Sequence, residues 1–385
     1  MLKILKKSKI SLARLGVLTT PHGQIETPFF MPDATSAVIK NLTNEDLYVL
    51  DLDSFVVNTY HLYLQPGLDI IKKSKGVHNF MNWSKPILSD SGGYQVFSLI
   101  HKNKNNGKIL DDKVIFKSLL NGSKHELTPE KSIQIQFILG TDMMVVLDDC
   151  PPNSYKESQI SQAVDRTIVW AKRCLDEFNK QIKKYRLSND KQPLLFAVIQ
   201  GGDNEKLRQL CAKELIKLGF AGYGFGARPV DSSGKFLKNI LQFTANLIPE
   251  NKLRFGLGIG LPEDIVNCVR MGWDMFDCVI PTREGRHGKL FFQKNDFQFS
   301  IFDSQKEYLK FYQTININNA IYKKDFSPIN SDSQLPLLCQ YSRAYLHHLF
   351  KIKDPLAGHL ASLNNLEFYI KLIKDIRLAI LVDKI

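Results

Sequence analysis

The chain has 385 residues, 44% hydrophobic and 23% charged, a length and balance that suit a large globular α/β protein and exclude global disorder. Lys and Arg number 51 against 39 Asp and Glu, a formal net charge of +12, which suits a polyanionic partner because basic side chains neutralise phosphates and release their counterions. The six cysteines, Cys150, Cys174, Cys211, Cys268, Cys278 and Cys339, include no C-x-x-C pair, so neither a disulfide framework nor a cysteine-rich zinc site is expected. The basic N-terminal MLKILKKSKI lacks the apolar core of a signal peptide, and no apolar run approaches membrane-spanning length. A soluble, cytoplasmic protein with no membrane partner is expected.

Residues 16–32, GVLTTPHGQIETPFFMP, read as a β-hairpin or short strands with a turn at 21–23, closing on Pro32. A recurring unit follows: a short apolar run ends in polar residues or glycine and gives way to a stretch long enough for a helix. Runs at 55–57, 86–88 and 143–147 end in NTYH, SDSGG and DD. Those at 194–199, 220–225, 255–259 and 275–276 end in QGG, at Gly226, among Gly258 and Gly260, and at Asp277. Helices are expected at 157–184, 204–218 and 262–271, the last opened by Pro262 with Glu263 and Asp264 in its first turn. Strands apolar throughout and separated by helical crossovers indicate a parallel sheet.

Seven such units, with an eighth strand not placed, predict a (β/α)8 TIM barrel, whose active site lies at the carboxyl ends of the strands. A doubly wound open sheet is the alternative. Residues 101–113 read as a basic loop or hairpin, and 185–192 as an exposed charged connection. Periodicity weakens over 293–336 and returns as helices in YSRAYLHHLFK and LEFYIKLIKDIRLAIL. The expected division is a catalytic barrel from 1–292 plus 341–385 and a small C-terminal subdomain at 293–340.

In a barrel, Asp90, Asp148 and Asp277 converge on one rim with Gln200 and several glycines. Three carboxylates there could hold a divalent metal, act as acid and base, or recognise a donor-rich ligand. A metal would favour more histidines, and only His61 is an obvious candidate. Carboxylate, Gln and glycine N–H groups suit a purine edge: the carboxylate accepts from adjacent N–H groups of guanine, the others donate to its oxygen, and Tyr94 can stack on the ring.

The segments NTYHLYLQPG, SDSGGYQVFSL, NGSKHELTPEKSIQIQ, GLGIGLPEDI and DMFDCVIPTREGRHG closely resemble the tRNA-guanine transglycosylases, with similarity over residues 14–369. The resemblance implies an enzyme that replaces the wobble guanine of tRNAs with G-U-N anticodons by a 7-deazaguanine, either queuine or its aminomethyl precursor. It implies Asp277 as nucleophile and Asp90 as general acid and base. It implies Asp148, Gln200, Ser91, Tyr94, Gly226, Ala227 and Leu257 around the base, and Thr282, Arg283 and Arg286 against the RNA. Asn58 and His61 are expected to orient the carboxylates or to make ordinary structural hydrogen bonds. A homodimer is expected. A non-catalytic tRNA-binding partner subunit is the alternative, as is, outside the family, a metal-dependent or sugar-processing barrel hydrolase; retention of both Asp277 and Asp90 argues against the partner subunit.

Two departures stand out. The family's zinc-ligand positions hold Ser333, Leu335, Leu338 and Asn364, which cannot supply a tetrahedral thiolate and imidazole set, so no cofactor and no structural zinc is expected and Leu335, Leu337 and Leu338 are expected to fill the space. The glycine-rich segment beside the base reads GARPVDSS, with Ala227 for a glycine and Arg228, Pro229 and Ser232 near the 7-substituent. The choice between queuine and the aminomethyl base is left open by these residues.

Overall fold

The structure, a computed structural model, describes residues 2–152, 154–231, 233–294 and 311–385. Eight strands form one parallel sheet in chain order: Phe29–Pro32, Phe55–Val57, Ile87–Ser89, Met143–Val145, Leu194–Ile199, Gly222–Phe225, Leu253–Gly256 and Met275–Cys278. The last pairs with the first, Met275 opposite Phe29 and Cys278 opposite Pro32. Asp33 bridges to Val56, and Ala34 N donates to Val56 O at 2.7 Å. The sheet thus closes into a (β/α)8 barrel, and the open-sheet alternative falls.

The strand left unplaced by the sequence is Phe29–Pro32. The hairpin expected before it is present, Arg14–Thr20 pairing with Gly23–Thr27 in antiparallel register, but it ends earlier. Its Leu18 and Ile25 join the cluster that fills the barrel interior, so the hairpin plugs the end where the strands begin. Strands are apolar throughout because one face meets this interior cluster and the other a larger shell shared with the helices.

Helices Glu157–Tyr185, Glu205–Leu218 and Pro262–Arg270 lie where expected. Residues 101–113 take the hairpin form: Gly107–Ile109, Val114–Lys117 and Lys124–Leu127 make a small antiparallel sheet. Beyond the barrel, Lys289–Gln293 pairs with Tyr312–Asn316, while residues 295–310 of the expected subdomain lie outside the described residues. The chain ends in helices Arg343–Ile352 and Pro355–Leu381. Among the described residues no helix is long and apolar enough to cross a membrane.

Candidate active site

Side chains alternate in and out along a strand, so a residue two places beyond an interior one faces the barrel axis one layer higher. Met31, Val56, Leu88, Val198, Phe255 and Met275 belong to the interior cluster. Two residues after each come Asp33, Asn58, Asp90, Gln200, Leu257 and Asp277, a ring at the carboxyl ends of six strands that is polar except at Leu257. The alternation slips once: Val145 is interior, but Leu147 joins the outer shell, and Asp148 is the acidic residue at that strand's end.

Asp277 Oδ1 accepts from Gly258 N at 3.0 Å. Burial pushes its carboxyl up to about 7; the Gly258 hydrogen bond opposes the shift and the charge of Asp33 adds to it. Asp90 is held by more donors. Its carboxylate accepts from Thr59 N at 2.9 Å, Gly92 N at 3.0 Å, Gln95 Nε2 at 3.0 Å and Asn58 Nδ2. Burial still raises it to about 7 against these bonds, again with help from Asp33. Two carboxyl groups with affinities near neutrality can divide acid and base roles between them.

Asp148 and Gln200 form the opposite wall, Gln200 Nε2 donating to Asp148 Oδ2 at 2.6 Å. Burial raises Asp148 to about 7, with the Gln200 bond opposing. One amide hydrogen of Gln200 is therefore committed to Asp148, while its Oε1 is buried with no protein partner. Gly226 packs so closely on Gln200 that a Cβ there would lie 2.5 Å from the amide. Beneath this wall Arg208, fully buried, donates to the carbonyls of Gly202, Ile199 and Gly226 at 2.7, 3.1 and 2.8 Å and stacks 4.0 Å over the Phe225 ring. It ties the ends of two strands together where Gln200 and Gly226 sit.

The other expected residues fall as follows. Ser91 is buried, its Oγ accepting from Gly93 N at 3.2 Å, and Tyr94 is 54% exposed at the start of the next helix, Gly93–Lys102. Leu257 packs against the interior cluster. Ala227 adopts φ +108°, a conformation that L side chains rarely take; Arg228 and Pro229 follow it, and Ser232 lies outside the described residues. Arg283 is exposed and Arg286 half-buried on the helix Ile280–Arg286, directly after Asp277. Thr282 does not join them: it is 3% exposed, turned into the protein. Asn58 Nδ2 donates to the Asp90 carboxylate, whereas the His61 ring is coupled electrostatically to Asp33.

Sequence reasoning missed four residues here: Asp33, Thr59, Gln95 and Arg208. Asp33 is visible in the sequence once Phe29–Pro32 is taken as a barrel strand. Thr59 reaches the Asp90 carboxylate through its backbone N–H, and the hydrogen-bond partners of Arg208 are all carbonyls, which no side-chain pattern records.

A closed (β/α)8 barrel with two near-neutral carboxyl groups and an amide-carboxylate wall at its carboxyl rim defines a class, that of barrel enzymes working by carboxylate chemistry. The particular family comes from comparison. The model of the family described as Queuine tRNA-ribosyltransferase matches residues 9–385. A queuine tRNA-ribosyltransferase of Caldanaerobacter subterraneus subsp. tengcongensis is 41% identical over 383 residues, covering 100% of this chain and 94% of its own. That of Halothermothrix orenii is 42% identical over 371 residues, 96% and 91% of the two chains, and that of Staphylococcus aureus 40% over 381 residues, 99% and 92%. The chain belongs to the queuine tRNA-ribosyltransferase family.

The zinc implied by the resemblance does not fit the residues present. Leu335 and Leu338 are buried, Ser333 Oγ donates to Glu367 Oε2 at 2.6 Å, and Asn364 donates to Phe291 O at 3.0 Å while accepting from Asn330 Nδ2 at 3.1 Å. Leu337 does not help to fill the space; it is 37% exposed. Among the described residues, the donors close enough together to hold a metal are His22, His78 and Asp142, at the amino end of the barrel. There Asp142 already accepts from His22 Nδ1 and the N–H groups of His22 and Ile87, each at 2.8 Å, as expected of a structural clasp.

Proposed function

We propose that this chain exchanges the wobble guanine of G-U-N tRNAs for queuine or its aminomethyl precursor through a covalent intermediate on Asp277. The observation that carries the reading is the pair Asp277 and Asp90: both face the barrel axis in the same layer, and both hold their protons near neutrality. In the first half-reaction an Asp277 oxygen attacks C1′ of the ribose, forming a C1′–O ester bond as the C1′–N9 bond of guanine breaks. Asp90 supplies the proton taken up by the departing purine. In the second half, Asp90 takes a proton from the incoming base, whose nitrogen attacks C1′ and breaks the ester. Two displacements at one carbon give net retention and ping-pong kinetics.

The base rests against Asp148 and Gln200, with Leu257, Ser91, Gly226 and Ala227 beside it and Tyr94 available to stack. Arg283 and Arg286 meet the anticodon loop, whose unstacked bases can be splayed into the site. The reading divides the chain into a catalytic barrel, 1–292 plus 341–385, and a subdomain, 293–340, without zinc. Pairing of two copies through the subdomain is supported by Ile321 and Phe326, 73% and 79% exposed.

The test is incorporation of labelled guanine into a G-U-N tRNA. The wild type is expected to incorporate label, and Asp90→Asn to bind the tRNA in a gel shift without turning over. Equal incorporation by both would remove Asp90 as the proton carrier.

A further inference from the structure

Asp33 belongs to the ring of axis-facing residues yet has no role in the exchange as derived above. It follows Met31 by two positions, as Asp277 follows Met275 and Asp90 follows Leu88, and those three predecessors all lie in the barrel interior. Its strand pairs directly with that of Asp277, Met31 opposite Asp277, and Asp33 itself bridges to Val56 on the strand that ends in Asn58. Asp33 therefore stands between the nucleophile and the residue that orients Asp90. Thr35 Oγ1 donates to its Oδ1 at 2.6 Å, and the residue remains partly exposed. The titratable groups facing it are His61, Lys40 and Arg286 together with Asp90 and Asp277.

Position around the barrel decides what Asp33 can touch. The base wall is built on the Met143–Val145, Leu194–Ile199, Gly222–Phe225 and Leu253–Gly256 strands, and Asp33 lies across the axis from it. A nucleotide with C1′ at Asp277 and its base on that wall presents its sugar to Asp33. An anion beside a polyanionic chain needs a hydrogen-bond donor. Within an RNA chain the 3′ and 5′ oxygens are esterified, so the sugar offers one donor, its 2′-hydroxyl.

We propose that Asp33 accepts a hydrogen bond from the 2′-hydroxyl of the nucleotide being exchanged and so makes this site selective for a ribose at that position. The inference rests on the exchange reading. A bond from the 2-hydroxyl of a sugar to a carboxylate strengthens as positive charge develops at the anomeric carbon. Asp33 thereby aids departure of the base as well as selecting the sugar.

The experiment is a double-mutant cycle in which the second change is made in the RNA. Wild type, Asp33→Val and Asp33→Asn are each given an anticodon stem-loop carrying either guanosine or 2′-deoxyguanosine at the exchanged position. Guanine exchange and binding by gel shift are both measured. A hydrogen bond to a charged group corresponds to roughly a tenfold effect or more. The wild type is expected to exchange the deoxy substrate about tenfold more slowly. Asp33→Val should lose a similar factor on the all-ribose substrate and be indifferent to the deoxy change, and Asp33→Asn, which keeps an acceptor, should fall between. Equal penalties for the deoxy substrate in wild type and Asp33→Val would overturn the inference, because a merely structural Asp33 gives additive losses. Absence of exchange by the wild type on either RNA would instead overturn the exchange reading, and the binding cycle would still decide whether Asp33 reads the 2′-hydroxyl.

Discussion

On the proposed exchange, Asp277 must be ionised to attack C1′, and Asp90 must be protonated to release guanine as a neutral base. Both are pushed up to about 7, mainly by burial, so the productive combination of one charge and one proton is most populated near neutrality. The rate of the first half-reaction should rise with pH as Asp277 loses its proton and fall as Asp90 loses its own. A bell-shaped profile of guanine exchange with its maximum near pH 7 is expected. A rate that stays flat from about pH 5, where ordinary carboxylates are already ionised, would show that burial does not set these affinities. The carboxylates themselves were legible in the sequence, since Asp90 and Asp277 end apolar runs and a parallel barrel puts such residues on one rim. Asp33 was not. Its strand follows a hairpin almost without a break, and it pairs with the last barrel strand, Met275–Cys278, a partner that local periodicity cannot reveal.

At the scale of elements, the base wall depends on how two strand ends are joined. Arg208 reaches from the helix Glu205–Leu218 to carbonyls at the ends of Leu194–Ile199 and Gly222–Phe225. Among the described residues no carboxylate pairs with it directly, and burial lowers its guanidinium to about 9, so it is still a cation at neutral pH. Replacing it by leucine removes a donor from all three carbonyls; Ile199 O keeps the Gly226 N–H at 2.9 Å, whereas the carbonyls of Gly202 and Gly226 lose theirs, each costing about 1–3 kcal/mol if it stays dry. Arg208→Leu is expected to melt several degrees lower and to show a raised KM for guanine, read by thermal denaturation and exchange kinetics; an unchanged KM would mean that Gln200 and Gly226 are held in place without it. The strands and the long helices were legible because apolar runs and 3.6-residue periodicity report burial. This clamp was not, because its acceptors are backbone groups.

For the molecule as a whole, the rim and the C-terminal region follow different rules. At the rim the expected residue types are present, whereas at Ser333, Leu335, Leu338 and Asn364 hydrogen bonds and apolar contacts stand where a metal would need soft ligands. Metal measurement on the purified chain should find no stoichiometric zinc, and a chelator should leave its melting temperature unchanged; one tightly held zinc per chain would contradict this. The sequence revealed the absent ligands by counting from a retained helix, but not which leucines are buried, since Leu337 points outward. On the proposed reading Asp277 carries the ribose between two bases. The most direct measurement is a denaturing gel of protein mixed with a G-U-N stem-loop RNA and quenched during exchange. A covalent protein–RNA band that is discharged by excess guanine and is missing with Asp277→Asn is expected. A band of equal strength in that variant would contradict it.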